Sequence, residues 1–428
     1  MKTQTMTSQT HSGTNTNSNT KLAFYVLCSA FFIWAIPNNL QTIMMPQLQL
    51  GFMMNNFTTS LLDTNFYIGY FFAPIIAGLI ANKLGYKSTI IIGFLIMALG
   101  SLLCFSALDT YTLSLFLGGL TTTALGCGFL ETACNPLATV LGPKEQASYR
   151  INFAQIFNQV GNLTTASVGA MIIIGGSHYK TAEEIAKLPK DSATHYHHML
   201  VASGIPVYIF MAALLVCLSI LFALIKFPHT KALDESSDGY FSTFKRVMKF
   251  SHFRWSLLAM FLMNGTQACM MGFFLRYAIV ELNTDPGHVS FLASVLAIAA
   301  ISGRVVGTYI LKNTNKDGNV LGMFNALGVI ACLAAVVLPG WFGIWSIPVA
   351  FFFLAPSYPT IFALGIKGLG KDTKIASSFM VMMIVGAGII PVILGFLADK
   401  VPSFSLVWII PALCMAMISY FGFKKSSL

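Results

Sequence analysis

Apolar stretches of about twenty residues recur along this chain from end to end, with short polar breaks between them. As an α-helix, a stretch of that length matches the roughly 30 Å hydrocarbon core of a bilayer. Inside lipid the backbone must bond to itself, which leaves only helices or closed barrels as spanning forms. Spanning helices are expected over 22–45, 60–81, 88–107, 112–133, 151–174, 199–225, 255–280, 289–311, 320–338, 343–364, 377–397 and 406–423. The chain is 56% hydrophobic and 9% charged, against roughly 25% charged in a soluble domain. That balance excludes a soluble helical protein and fixes the class as an all-α membrane protein.

The net charge of +10 would point a soluble chain toward nucleic acid. Here the basic residues sit in short loops beside apolar runs, where they report orientation. With the N-terminus in the cytoplasm, nineteen fall on the inner side and four outside; Arg276 and Arg304, inside helices, complete the 25. Both termini are therefore expected in the cytoplasm, with membrane lipid and not nucleic acid as the surrounding partner. Residues 1–21 are rich in Thr, Ser and Asn and read as a disordered cytoplasmic tail. The first apolar run is too long for a cleaved leader and reads as an uncleaved signal anchor. The longest polar break, 226–254, is expected to be a cytoplasmic linker between six-helix bundles at 22–225 and 255–428. The eight cysteines fall within apolar runs and read as small packing residues.

The two halves echo each other. Asn135-Pro136 is followed by Leu141-Gly142 in the fourth helix, and Tyr358-Pro359 by Leu364-Gly365 at the same spacing in the tenth. Asn38 and Gln41 in the first helix match Asn264 and Gln267 in the seventh. Two parallel repeats about an axis along the membrane normal are a transporter architecture, and the pattern resembles that of the major facilitator superfamily. The loop Gly78-Leu79-Ile80-Ala81-Asn82-Lys83-Leu84-Gly85-Tyr86-Lys87 resembles that superfamily's signature, with Asn82 where an Asp is usual.

Glu131 lies well inside the fourth helix. An ionised carboxylate at that depth costs roughly 2.5–3.5 kcal/mol on insertion scales, so it needs a water-filled cavity, a cationic partner or a proton. A carboxyl that can be charged or neutral suits proton coupling; the alternative is a helix-packing hydrogen bond. Asn135 follows one turn on, on the same face. In the fifth helix Asn152, Gln155, Asn158 and Asn162 form a stripe at steps of three and four, with Gln159 beside it. Amides both donate and accept, which suits sugar hydroxyls; they are also common interhelical glue. The first, fourth, seventh and tenth helices line the cavity in the superfamily that the chain resembles, which implies that Asn38, Asn39 and Gln41, after Trp34 and Pro37, and Asn264 with Gln267 converge on them, and Tyr358 completes the substrate set. Arg276 and Arg304 either pair with a carboxylate or lie near an interface, Arg304 reading as inner-side packing of the eighth helix. Asp399 reads as an outer-loop charge. His178, His195, His197 and His198 share one outer loop without a complete ligand set. No metal site and no cofactor are expected.

These residues carry a closer resemblance. Trp34-Ala35 with Asn38-Asn39-Leu40, Phe66-Tyr67-Ile68-Gly69-Tyr70-Phe71, Leu130-Glu131-Thr132-Ala133-Cys134-Asn135-Pro136, Ala154-Gln155-Ile156-Phe157-Asn158, Arg276-Tyr277-Ala278 and Tyr358-Pro359-Thr360-Ile361-Phe362 resemble the fucose:proton symporter family, from about Ala23 to the last helix. The resemblance implies uptake of a hexose or deoxyhexose with a proton, by alternating access, across the inner membrane. It makes Glu131 the family's buried glutamate, tied to sugar binding and proton coupling, Gln155 and Asn158 its cavity amides, and Asn39 its first-helix asparagine. The family string Asn-Asn-Leu-Asn-Asp ends in an acid tied to coupling; here it reads Asn38-Asn39-Leu40-Gln41-Thr42. Thr42 does not titrate in the physiological range. Either Glu131 couples alone, or Asp63 in the second helix has taken over, or the protein is a uniporter. Asp63 reads equally as a first-turn charge favoured by the helix dipole. Ser357 stands where the fucose permeases carry a glutamine. A facilitator of another neutral solute, or a non-transporting membrane sensor, are the competing functions. No nucleophile–base pair supports an enzyme, and a monomer is expected.

Overall fold

The computed structural model describes residues 13–54, 56–165, 185, 187–225, 227, 239–284, 286–289, 291–314 and 316–426. Among them there is no strand. The first half holds α1 (Gly13–Gly51), α2 (Asn56–Asp109), α3 (Leu113–Val140), α4 (Ala147–Thr164), α5 (Lys190–Ala202) and α6 (Ile205–Leu224). A short α7 (Tyr240–Val247) precedes α8 (Ser251–Leu282), α9 (Phe291–Lys312), α10 (Asp317–Val337), α11 (Gly340–Leu354), α12 (Ser357–Ile366), α13 (Thr373–Met382), α14 (Gly386–Ala398) and α15 (Ile409–Tyr420).

Ten helical stretches among the described residues are long and apolar enough to cross a membrane. Two facts reconcile this with twelve spans. The Gly69–Asp109 stretch is two spans in one: α2 breaks at Gly85, whose φ of 80° and ψ of 168° turn the chain back. No other residue type adopts that conformation without strain, so the signature loop is a glycine hinge between helices. The other span begins with α4, whose amide stripe dilutes its hydropathy and whose expected range, 151–174, continues beyond the described residues. α5 with α6, α11 with α12 and α13 with α14 each form one span. α1 starts at Gly13, inside the stretch expected to be disordered. Once a long helix is nucleated, each added residue of middling propensity adds a hydrogen bond without a new nucleus.

Many large apolar side chains also face outward. Phe72, Leu99, Ile298, Val337, Phe342 and Phe396 are all at least half exposed. In water such a belt would drive association; against acyl chains it is at home. Within the protein, glycines set the helix spacing that builds the centre. A Cβ on Gly161 of α4 would meet the carbonyl of Phe32 in α1, and one on Gly303 of α9 would meet that of Phe352 in α11. These contacts bring the amide stripe against α1 and set the register of Arg304.

The turn between α3 and α4 is held by Arg150. Its guanidinium donates to the carbonyls of Ala138 (3.0 Å), Pro143 (2.6 Å) and Thr139. The end of α3 thus has a cation on carbonyls that the helix leaves unpaired. Taking the end of the bundle that carries Lys21 and Lys425 as the terminal face, the two halves meet there. Ser148 donates to Asp317 at 2.5 Å, and Asn152 to Thr360 at 3.0 Å. α7 braces the same face: Arg246 forks onto Asp372 at 2.6 and 2.7 Å, and Tyr240 lies 3.0 Å from the Ser378 hydroxyl.

Candidate functional site

Where the halves part, α1, α2, α3, α4, α8, α9, α12 and α14 surround a cavity of about 490 Å³. Glu131 reaches it from α3, nine residues before the helix ends at Val140. Its carboxyl is held from both halves. Tyr70 of α2 donates to Oε2 at 2.7 Å, and Tyr358 of α12 to Oε1 at 2.5 Å. Two hydroxyls that both donate suit an ionised carboxylate, which only accepts. A protonated carboxyl has a hydrogen of its own and needs one partner to turn around.

The α4 stripe forms the adjoining wall. Gln155, Asn158, Gln159 and Asn162 border the cavity with Trp34 of α1, and Asn264 and Gln267 of α8 face them. The amides are chained to each other: Asn39 donates to Asn162, Asn162 to Asn158 at 3.5 Å, and Asn158 to the Phe31 carbonyl at 3.1 Å. Asn264 donates to Met260 in its own helix at 2.8 Å.

Arg304 is the cation of the site. It is buried, donates twice to the Ala355 carbonyl between α11 and α12 (3.2 and 3.1 Å), and reaches the carbonyl and side-chain oxygens of Gln155 at 3.2 and 3.4 Å. Its expected place in inner-side packing is therefore corrected: Arg304 borders the central cavity at the seam between the halves. The neighbouring glycines do pack, Gly303 on Phe352 and Gly307 on Pro356, and that packing turns the guanidinium toward α4. Arg276 instead lies over the Phe404 ring at 5.2 Å, at an exposed position near the far end of α8.

Glu131, Gln155, Asn158, Asn162, Asn264, Gln267 and Tyr358 thus share one cavity. Asn39 borders a second cavity beside it. Asn135 is not on the wall: it is fully buried behind it and accepts from Gln155 at 3.1 Å, so it holds Gln155 in place. Ser357 is also fully buried, hydrogen-bonded by Asn325 at 2.9 Å. The side chains of Asn38, Gln41, Thr42 and Asp63 lie outside the described residues. No group of His, Cys, Asp and Glu suited to a metal occurs among the described residues; His197 meets the Leu50 carbonyl at 2.8 Å, and His198 stacks on Tyr111.

Tyr70, Gln159 and Arg304 are polar wall residues that the sequence did not assign to the substrate set: Gln159 figured only as a flank of the stripe, and Arg304 as packing. Tyr70 had a signal, since it falls in a string that resembles the fucose:proton symporter family. Arg304 had one too, a charge near the middle of a spanning helix.

On the sugar-binding role that the resemblance implies for the cavity amides, replacing Gln155 or Asn158 by Ala is expected to weaken binding of the sugar by roughly 1–2 kcal/mol each, the scale of a buried hydrogen bond. Equilibrium binding of labelled sugar measures this. Wild-type affinity in both variants would make the stripe interhelical glue.

Comparison with known proteins places the whole arrangement. The family model described as Major Facilitator Superfamily matches residues 22–371. An L-fucose-proton symporter of Escherichia coli (strain K12) is 37% identical, over 95% of this chain and 93% of the relative. A glucose/galactose transporter of Brucella abortus biovar 1 (strain 9-941) is 27% identical, over 96% of each. The crystal structure of a major facilitator superfamily transporter, FucP, in the outward conformation superposes with a TM-score of 0.91 at 35% identity, covering 96% of this chain and all of that one. The chain is a multi-pass membrane transporter, not an enzyme, and it belongs to the major facilitator superfamily and within it to the fucose:proton symporter family.

Proposed function

We propose that this protein imports a hexose or deoxyhexose together with a proton by alternating access. The observation that carries the reading is the Glu131 carboxyl, buried at an amide-lined cavity and held by one hydroxyl from each half. Gln155, Asn158, Asn162, Asn264 and Gln267 bind the sugar hydroxyls, with Asn39 and Asn135 supporting them. Glu131 carries the proton, and Tyr358 ties that site to the second half. The relatives named for L-fucose and for glucose and galactose support the substrate class.

The two bundles, 22–225 and 255–428, rock about this site, with 226–254 as the connection between them. The terminal face is the cytoplasmic one, because the basic residues collect there. Closed at that face, the molecule is poised to receive sugar from outside. It works as a monomer in the inner membrane, with lipid around its apolar belt and no nucleic acid partner.

The test is uptake of labelled L-fucose, galactose and glucose into vesicles bearing the reconstituted protein. A gradient of one pH unit is worth about 1.4 kcal/mol, so one-to-one coupling supports up to about tenfold accumulation. Equal sugar on both sides under that gradient would reject symport.

Uniport is the second reading, favoured by Thr42 where the family has an acid. If the missing acid weakens coupling, Thr42→Asp will raise the protons carried per sugar. If Asp63 has replaced it, Asp63→Asn will abolish accumulation while sugar exchange persists. Sugar-dependent alkalinisation of the outer medium distinguishes these outcomes.

A further inference from the structure

A second cavity, of about 290 Å³, lies beside the amide-lined one between α4 and α9. Gln159, Asn162, Gln267, Met271 and Arg304 border both spaces, so the two are contiguous. Their walls differ in kind. Beyond the shared residues and Asn39, the second is formed by apolar side chains, among them Phe274, Leu296, Ala297, Ala300, Phe351 and Leu354. Ala293, Ala297 and Ala300 fall at steps of four and three along α9 and so share one face; their small side chains leave the space open.

A free hexose presents hydroxyls around its ring and finds nothing to bond on the apolar part of these walls. A hexose whose anomeric oxygen carries an apolar group matches both spaces. We propose that the second cavity is an aglycone subsite. It takes the apolar aglycone of an aryl or alkyl glycoside whose sugar ring sits among the amides. The inference rests on the sugar-transport reading and extends it to a class of ligand.

Alternating access requires α4 and α9 to approach each other here when the outer side closes. An aglycone between them holds them apart. Aryl glycosides therefore bind and inhibit, and they are not carried.

The experiment uses the full chain reconstituted in vesicles. Methyl and p-nitrophenyl glycosides of the best-transported hexose, in the same anomeric form, compete against exchange of the labelled free sugar. The p-nitrophenyl compound is expected to inhibit at roughly tenfold lower concentration than the methyl one, as apolar burial in a formed pocket predicts, and labelled p-nitrophenyl glycoside should not enter the vesicles. Ala297 borders only the second cavity. Ala297→Phe should reduce the aryl advantage to less than about twofold and leave inhibition by free hexose unchanged.

Equal potency of the two glycosides in the wild type would overturn the subsite, and that comparison decides even if the variant fails to fold. Inhibition by p-nitrophenol alone at the same concentrations would also overturn it, since an acyl chain or any apolar solute would then serve as occupant. If no free hexose is exchanged, the transport reading fails and the subsite falls with it. Free hexose exchange with no aryl preference rejects the subsite alone.

Discussion

Glu131→Gln is expected to reduce accumulation under a one-unit pH gradient from about tenfold to none, while exchange of labelled for unlabelled sugar continues. Glutamine keeps the shape of the side chain and one carbonyl acceptor, and its amide can donate to a hydroxyl that turns around. The bridge from Tyr70 and Tyr358 can therefore persist in altered form. What the variant lacks is a group that takes up a proton. The sugar still meets the amides of α4 and α8, and the halves still switch, so equilibration survives without concentration. The measurement is paired: uptake against a gradient, and counterflow without one. Accumulation at the wild-type level in Glu131→Gln would remove this residue from the coupling step and leave Asp63 as the acid to test. Loss of counterflow as well would mean that the carboxylate binds sugar more than it carries protons.

The sequence made some parts of this site legible and hid others for physical reasons. Glu131 stood out because a carboxyl inside an apolar run has few explanations. The α4 stripe stood out because helical periodicity puts steps of three and four on one face. Both signals are local to one helix. Tyr70 and Tyr358 meet Glu131 across 61 and 227 residues of chain, and a single sequence carries no ruler for the register between helices. Tyr358 was expected in the substrate set, though not its bond to the carboxyl; Tyr70 was not assigned to the site, since tyrosine is ordinary in membrane proteins, especially near interfaces. Arg304 was misplaced because its neighbours are packing glycines. The glycines do pack, but their close approach to α11 and α12 fixes the rotation of α9 and so aims the guanidinium at Gln155. Asn135 erred the other way. It shares a face with Glu131 along the helix, yet a face shared by two residues one turn apart can meet the cavity at one and bury the other. The fold itself was legible almost throughout, because bilayer thickness measures each helix independently of its neighbours. The exception was the start of the first helix, since α1 begins at Gly13, inside a stretch whose composition reads as disordered.

Tyr358→Phe is expected to release the terminal face by a factor of roughly 10–150, from the roughly 1.5–3 kcal/mol of a hydrogen bond to a charged group. The phenylalanine keeps the ring in its place among α12 neighbours and removes the hydroxyl that joins the second half to Glu131. If that bond exists only while the terminal face is closed, its loss shifts the balance between the two arrangements by the full amount. Tyr70 offers the control. Its hydroxyl meets the same carboxyl at 2.7 Å, but both residues belong to the first half, so the bond moves with that half as it rocks. Tyr70→Phe should perturb Glu131 about as much and leave the balance nearly unchanged. A cysteine at Ala363, buried in α12 toward the terminal face, reports opening through its rate of labelling by a soluble thiol reagent. The expected order is a large rise with Tyr358→Phe and little with Tyr70→Phe. Equal rates in the two would show that the charge on Glu131, and not the link across the halves, governs closure. The same logic ties proton to gate. Protonation turns a charge-assisted bond into a neutral one of roughly half the strength, so the wild-type labelling rate should rise on acidification, and the rise should vanish in Tyr358→Phe.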